Sequence, residues 1–506
     1  MPSKRAYMAL LIILHAAIVR LVPVLVTGMP FSNDVWPLIR IAQALNNGTS
    51  IGALYGDPVY GHHAQWPFSV LMAMLYSNVA GISPLFYYQY VGTCLVGLVL
   101  ALLAYVLGNR LFGEHAEPAL FALALSAYPS FVLYTSAFLK EVYAHLIALA
   151  FLIWVLTSSR WGAYFLAPVF TVSLVLGHPL PSIILALVLA LHYVDERVQA
   201  FRGRKAPERV SWRLAALALV LLVATIAYNA VVVKEWPILL NSVDAMLLIT
   251  YAVTVYAAYV LLGDGGSSCL FGALATAAIV ITVRAITSPL SYSLLLYVAP
   301  PLTVFLASTI KSVRRSGDSS LRAVTATPLL LIISTGFLYI TTYFTQVLGL
   351  LHRLLNYLVY VTAVLMAGMA RRSIGKTAAI ACACVAITLA SVCTASTGLD
   401  PLLFYWKYSK VDGELEVYIA RFLAGAGIHG DPKYSYFMAG LVNHIPLNAL
   451  VDTCRWLGRS QDLLLLSSSD LKYGIPVSPV DFVKIGENVF TCGDLVFNAG
   501  DIWLFG

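Results

Sequence analysis

The sequence predicts an all-α polytopic membrane protein of about thirteen transmembrane helices, with a small extracytoplasmic α/β domain at its C-terminal end. Three observations lead there. Of 506 residues, 60% are hydrophobic and only 11% charged, with a mean hydropathy of +0.83. That leaves too few polar groups to cover a soluble globule of this length. The apolar residues gather in runs of about 17 to 25 residues, some shorter, on the scale of a bilayer core. Beyond Cys393 the runs shorten and polar residues return.

In chain order the spans are expected near Ala6–Val26, Tyr87–Leu107, Ala119–Thr135, Val142–Leu156, Ala163–Leu176, Pro181–Tyr193 and Leu214–Val233, then Met246–Leu262, Leu270–Val283, Leu290–Thr309, Pro328–Phe344, Leu354–Ala370 and Ala378–Cys393. No small-residue cleavage pattern follows the first run, so it is read as a span rather than a signal peptide. Residues 27–86 form the first outer loop. There Trp36, Leu38, Ile41 and Leu45 fall near one helical face, the pattern of an interfacial amphipathic helix. The tail reads as a helix over Glu414–Ala424 followed by strand-like pieces at Leu463–Leu466, Pro476–Val480 and Asp494–Phe497,. The chain therefore divides into a membrane region, 1–393, and an extracytoplasmic region, 394–506. It carries no repeat of fixed period, which weighs against transporter folds built from repeats.

Orientation follows from the basic residues. Lys4, Arg5, Arg110, Arg160, the Arg197–Arg213 cluster, Lys311, Arg314, Arg315, Arg322, Arg371, Arg372 and Lys376 occupy one set of connections. The other set, before the tail, holds Arg40, Lys140, Lys234, Arg284 and Arg353. The first set is expected in the cytoplasm. The N-terminus is then inside and the tail outside, at the cell membrane. The net charge of +7 reflects this topology. It gives no ground for nucleic-acid binding, which needs a clustered basic face.

On this topology Asp34, Asp57, His62, His63, Lys140, Glu141, His178, Arg284, His352 and Arg353 all fall on the outer side. Carboxylates, imidazoles and cations reserved for one surface point to chemistry there. Each also has a structural reading. Asp34 stands before a helix, where an N-cap is common. Lys140 and Glu141 suit a solvated pair at a span end, and Arg353 suits a cation snorkelling to the interface. Arg20 lies inside its span, where a charge is costly unless paired or hydrated. His62 and His63 with Asp57 suit a divalent cation or a polar acceptor. Adjacent histidines, however, do not share a helix face, and their spacing matches no standard zinc site, so no metal is assigned. Cys94, Cys269, Cys382, Cys384 and Cys393 read as packing residues. Cys454 and Cys492 are both expected outside and suit a disulfide. Asn47-Gly48-Thr49 is a glycosylation sequon by pattern.

Several of these segments, taken in order, resemble the GT-C superfamily of integral-membrane glycosyltransferases, which includes protein mannosyltransferases, aminoarabinose transferases and oligosaccharyltransferase catalytic subunits. The segments are Arg20-Leu21-Val22-Pro23 in the first span, Asp34 past its outer end, a helix running into Gly48, and Trp66-Pro67-Phe68 opening a second amphipathic run that ends before Gly81-Ile82-Ser83-Pro84-Leu85. The likeness continues at Gly108–Glu114 and Tyr134–Glu141 and ends at Leu351–Tyr357. It covers parts of the first third and one late segment. The tail, especially Val496–Phe505, resembles the small outer domains of prokaryotic, often archaeal, GT-C-like proteins. The Trp-Trp-Asp motif of oligosaccharyltransferases is absent, which disfavours en bloc glycan transfer to asparagine.

The resemblance implies a sugar donor linked to polyprenyl phosphate at the outer leaflet and a protein, lipid or glycan acceptor. It implies Asp34 as the base or acceptor-orienting carboxylate, with Lys140 and Arg353 holding the donor phosphate. Asp57, His62, His63, Glu141, His178 and His352 are then candidates for the acceptor site or cavity wall. A divalent cation is compatible with these motifs but not required by them. Two other classes fit the composition: a lipid or solute transporter or flippase, and a GT-C-shaped assembly subunit without catalysis. A transporter is expected to carry ionisable groups near midplane in several helices, whereas here, Arg20 apart, they gather at outer span ends.

Overall fold

The computed structural model describes residues 4–57, 60–112, 117–158, 165–203, 211–234, 246–254, 319–342, 353–354 and 356–370, with parts of 381–392 and 408–505. The helices in order are α1 (Lys4–Thr27), α2 (Val35–Asn46), α3 (Ile51–Leu54), α4 (Gly61–Ala64), α5 (Phe68–Ala80), α6 (Pro84–Phe86), α7 (Gly92–Phe112), α8 (Glu117–Ser126), α9 (Pro129–Ser136), α10 (Val142–Thr157), α11 (Ala167–Gly177), α12 (Pro179–Phe201), α13 (Trp212–Tyr228), α14 (Ser319–Thr342) and α15 (Leu358–Ala370). A π-helical turn at Tyr87–Val91 joins α6 to α7, and a second at Asn229–Val233 extends α13. Among the described residues, the continuous helices Ala6–Thr27, Pro84–Phe112, Pro179–Phe201 and Trp212–Val233 are long and apolar enough to cross a membrane. The chain is a mostly helical membrane protein. The expected spans Leu270–Val283 and Leu290–Thr309 lie outside the described residues.

Helices α1 and α7 pack so closely at Gly97 that an added Cβ would come within 2.5 Å of the Ala16 carbonyl oxygen. Small residues at such crossings let helix backbones meet. The expected single span Ala119–Thr135 is instead broken between α8 and α9. Pro129 opens α9; it has no N–H to continue the hydrogen-bond ladder, so carbonyls at the break need other donors. Arg20 supplies one. Its side chain is fully buried, donating from Nη1 to the Ser126 carbonyl (3.2 Å) and the Ala16 carbonyl (2.9 Å), and from Nε to Thr135 Oγ1 (2.7 Å). Thr388 donates to the neighbouring Ala127 carbonyl. The intramembrane arginine is thus the donor set for a broken helix.

The expectation of an interfacial helix in the first loop is corrected. Helix α2 forms, but Val35, Trp36, Pro37, Leu38, Ile39, Ile41 and Ala42 are all buried, and it packs on α5 and on the tail helix Pro432–Phe437. Its apolar face is covered by protein rather than lipid.

The tail has Lys410–Phe422 as its first described helix. Its strands are β1 (Ile428–Gly430), β2 (Val442–His444), β3 (Leu463–Ser467), β4 (Ile475–Pro476), β5 (Phe482–Val483), β6 (Leu495–Asn498) and β7 (Ile502–Phe505). Five of them form a sheet in the order β2-β1-β3-β7-β6, parallel across β2-β1-β3 and antiparallel across β3-β7-β6. Leu464 and Leu466 join a small core with Ile475 and Phe505, whereas Leu465 faces the main core that contains Tyr408 and Phe437. Alternation along β3 therefore buries both faces of the sheet.

Candidate active site

The ends of several helices and the first loop bring a set of polar side chains together. Asp34 occupies the N-cap position of α2, yet its side chain accepts no capping hydrogen bond. Its carboxylate is free of the structural duty that its position suggests. The loop before it is strained: Ser32 sits at φ +115°, a conformation that costs about 1–3 kcal/mol for a side-chain-bearing residue. The Asp34 N–H donates to Ser32 Oγ (3.2 Å).

Lys140 and Glu141 lie between α9 and α10, just after Phe138, which holds φ +50°. Both side chains are buried. Lys140 Nζ is 2.6 Å from His62 Nε2 and 4.4 Å from the centre of the Trp66 ring. An ammonium can only donate, so His62 Nε2 accepts and the imidazole is neutral. Desolvation and the charges of Lys140 and Arg353 push His62 down to about 3. Glu141 Oε1 lies 3.5 Å from His178 Nε2 and 3.4 Å from Arg353 Nη1. His178 caps α12, its Nδ1 accepting the Leu180 N–H at 3.3 Å. The ring proton is therefore on Nε2, directed at Glu141. Burial holds His178 well below the usual histidine range.

Asp34 completes the cluster. Burial raises its carboxyl above the ordinary carboxylate value, and the charges of Lys140 and Arg353 partly oppose that rise. A carboxylate held this way is a better proton acceptor than a solvated one. Beside Lys140, Glu141 and Arg353, the atoms His63 Nδ1, Trp66 Nε1 and the Tyr357 hydroxyl are buried and have no hydrogen-bond partner among the described residues. Buried polar atoms left unpaired are costly, and a polyhydroxylated ligand would satisfy them. Beside Tyr357 begins a small groove with a cavity volume of about 40 Å³, lined by His145, Leu149, Leu152, Ile184, Val188 and Tyr360 among others. Its walls come from α10, α12, α14 and α15.

The structure thus brings together Asp34, His62, His63, Lys140, Glu141, His178 and Arg353. Asp57 accepts the Tyr60 N–H at 2.9 Å in the turn into α4, the helix that carries His62 and His63. His352 and Arg284 lie outside the described residues, as does the expected Cys454–Cys492 pairing. Among the described residues no three His, Cys, Asp or Glu side chains meet as a metal site. Sequence reading assigned no role to Tyr357, Tyr408 or Tyr436. Tyr357 follows Arg353 by one helical turn, a spacing that marks a shared face; the two tail tyrosines carry no such signal.

The fold and this cluster define a membrane protein that gathers a carboxylate and two cations at the ends of its helices. No protein-family model matches the chain and no curated protein matches it in sequence. Among solved structures it is similar to ArnT from Cupriavidus metallidurans. With ArnT bound to undecaprenyl phosphate the identity is 14% and the TM-score 0.44; with its apo state they are 14% and 0.43. Both alignments cover 99% of this chain and 98% of the other. Likeness of that degree assigns no residue a role, so the chemistry has to be read from the cavity's own side chains.

Proposed function

We propose that the chain is a membrane glycosyltransferase that moves a sugar from a polyprenyl-phosphate carrier to an acceptor at the outer membrane surface. The observation that carries this reading is that Asp34, a buried carboxyl with no capping bond, lies within the fields of both Lys140 and Arg353. An acceptor O–H or N–H attacks the anomeric carbon and gives its proton to Asp34. The bond between the anomeric carbon and the phosphate oxygen breaks, and its electron pair leaves on that oxygen. Lys140 and Arg353 stabilise the phosphate charge that develops. Glu141 and His178 hold Arg353 in place. The apolar side chains of Leu149, Leu152, Ile184 and Val188 offer a wall along which the polyprenyl tail would lie.

The test follows a labelled sugar from a polyprenyl-phosphate donor into acceptors in native membranes. Asp34→Asn keeps the shape and removes the proton acceptor, so transfer should fall about 10²- to 10⁴-fold. Because no cap bond is lost, folded protein should remain at the wild-type level. Wild-type rates in Asp34→Asn would remove this residue from the mechanism. Movement of the lipid-linked sugar across the bilayer without transfer would favour a flippase.

A further inference from the structure

The loop that aims Asp34 is held at both ends, at its far end by the tail. Its first residue, Gly28, accepts a hydrogen bond from Gln89 Nε2 (2.7 Å), a side chain of the π turn before α7. Its last residue before Asp34 is Asn33, and the Asn33 side chain meets the Tyr408 hydroxyl at 2.8 Å. That hydroxyl also lies 2.9 Å from the Lys433 carbonyl oxygen. A hydroxyl has one proton, and the carbonyl can only accept it. The atom placed there is Asn33 Oδ1; both contacts are met at once when Tyr408 donates to Lys433 and the Asn33 amide is turned so that Nδ2 donates to the tyrosine oxygen.

The residue two places after Asp34 is gripped by the same tail. Trp36 makes edge-to-face contacts with Tyr408 (5.4 Å between ring centres) and Phe437 (4.5 Å), and those two rings contact each other at 5.2 Å. Tyr408 is completely buried. Lys433, buried and paired with Asp412 at 3.5 Å, places its ammonium 5.3 Å from the Tyr408 ring centre. Further along α2, Arg40 pairs with Glu416. Asp34, which has no capping bond of its own, thus stands between two neighbours fixed by one tail side chain.

Taking Asp34 as the proton acceptor proposed above, we propose that Tyr408 is a positioning residue for it. Its hydroxyl fixes Asn33 and its ring fixes Trp36, so the tail sets the direction of the carboxylate. Tyr436 extends the contact, with its ring 5.9 Å from His63. The tail is then a working part of the site rather than an appendage.

The test uses the full chain in detergent. Tyr408→Phe keeps the ring contacts and removes only the hydroxyl. The pH midpoint of carbodiimide labelling at Asp34, read by mass spectrometry, reports the setting of that carboxyl without any sugar substrate. The groups facing it are Lys140, Arg353, Tyr408 and Tyr436. A loosened carboxyl gains water, so the midpoint should fall toward the ordinary carboxylate value. Transfer should lose roughly tenfold in kcat with the donor KM within about twofold, as expected when only transition-state alignment suffers. Asn33→Ala approaches from the other side and should have the same effect, and the double variant should be no worse than either single one. An unmoved midpoint in both single variants, or additive effects in the double, would overturn the proposal. A moved midpoint in a protein that transfers no sugar would leave Tyr408 as a positioning residue and overturn the glycosyltransferase reading instead.

Discussion

Replacing Lys140 by Met should weaken binding of a polyprenyl phosphate more than replacing Arg353 by Gln, and the reason is burial. The Lys140 side chain is 7% exposed, with a neutral His62 and the Trp66 face beside its ammonium. A charge-assisted contact to phosphate in such a setting contributes about 1.5–3 kcal/mol. At about 1.4 kcal/mol per decade, its loss should raise Kd roughly 10- to 150-fold. The Arg353 side chain is 49% exposed and shares its charge with Glu141. A screened cation of that kind contributes about 0–1 kcal/mol, so Arg353→Gln should cost no more than about fivefold. Titration calorimetry with a short-chain polyprenyl phosphate in detergent measures both. Lys140 helps depress His62, so a working pH of about 8 keeps that imidazole neutral in the variant as well. The corresponding polyprenyl alcohol, which lacks phosphate, should bind all three proteins alike. Wild-type binding by Lys140→Met, or a greater loss in Arg353→Gln, would refute the assignment of the buried lysine to the phosphate.

Because burial holds Asp34 above the ordinary carboxylate value and both cations lower it, transfer should fall on its acid side at a raised pH. Lys140→Met and Arg353→Gln should each move that limb further upward, and a downward shift in the pH–rate profile would contradict the assignment. In the tail, Asp431 and Asp470 are buried against one another, and burial with their mutual repulsion raises Asp431 well above the usual range. A raised carboxyl contributes stability that is fully present below its unfolded value and is lost as pH rises through its folded value. Asp431→Asn should therefore protect the Tyr434–Phe437 amides from hydrogen exchange better than wild type on the alkaline side of that value; equal protection there would argue against the raised carboxyl. Topology is checked with a cysteine-free background, in which exposed Phe201→Cys should be shielded from an impermeant thiol reagent in intact cells and exposed Phe422→Cys should react. Equal labelling would overturn the orientation expected from the basic residues.

What the sequence disclosed about the site, it disclosed through expense. Asp34, Lys140 and Arg353 interrupt or bound apolar runs, where a charge needs a reason, and their shared side of the expected topology together with the GT-C resemblance groups them. Local pattern also located β3 and the tail helix at Lys410–Phe422, the latter within four residues of its expected start. It failed where a contact decides between equal alternatives. The same apolar face of α2 suits lipid or protein, and only the packing of Trp36 against Tyr408 and Phe437 selects protein. The break at Pro129 sits in a run apolar enough to read as one span, and the donor that makes it tolerable, Arg20, is more than a hundred residues away. Tyr408 meets Asn33 across 375 residues; no periodicity encodes such a pair.

The two side chains assigned to proton and phosphate share a local setting that bears on how the site keeps its shape. Asp34 and Lys140 each follow by two residues a side-chain-bearing residue at positive φ, Ser32 and Phe138. Each conformation costs about 1–3 kcal/mol, so each persists only where surrounding contacts leave no relaxed alternative. Phe138 is buried among the rings of Tyr87, Tyr88 and Tyr143, and Ser32 is buried with its hydroxyl oxygen holding the Asp34 N–H. Glycine would adopt either conformation at little cost, yet it would remove the Phe138 ring from its aromatic nest or the Ser32 oxygen from the Asp34 amide. The sequence keeps the strained residue and the contact it makes. Each strained turn is thereby coupled to the packing behind it, and the direction of the charge two residues on becomes a property of the helical bundle rather than of the loop.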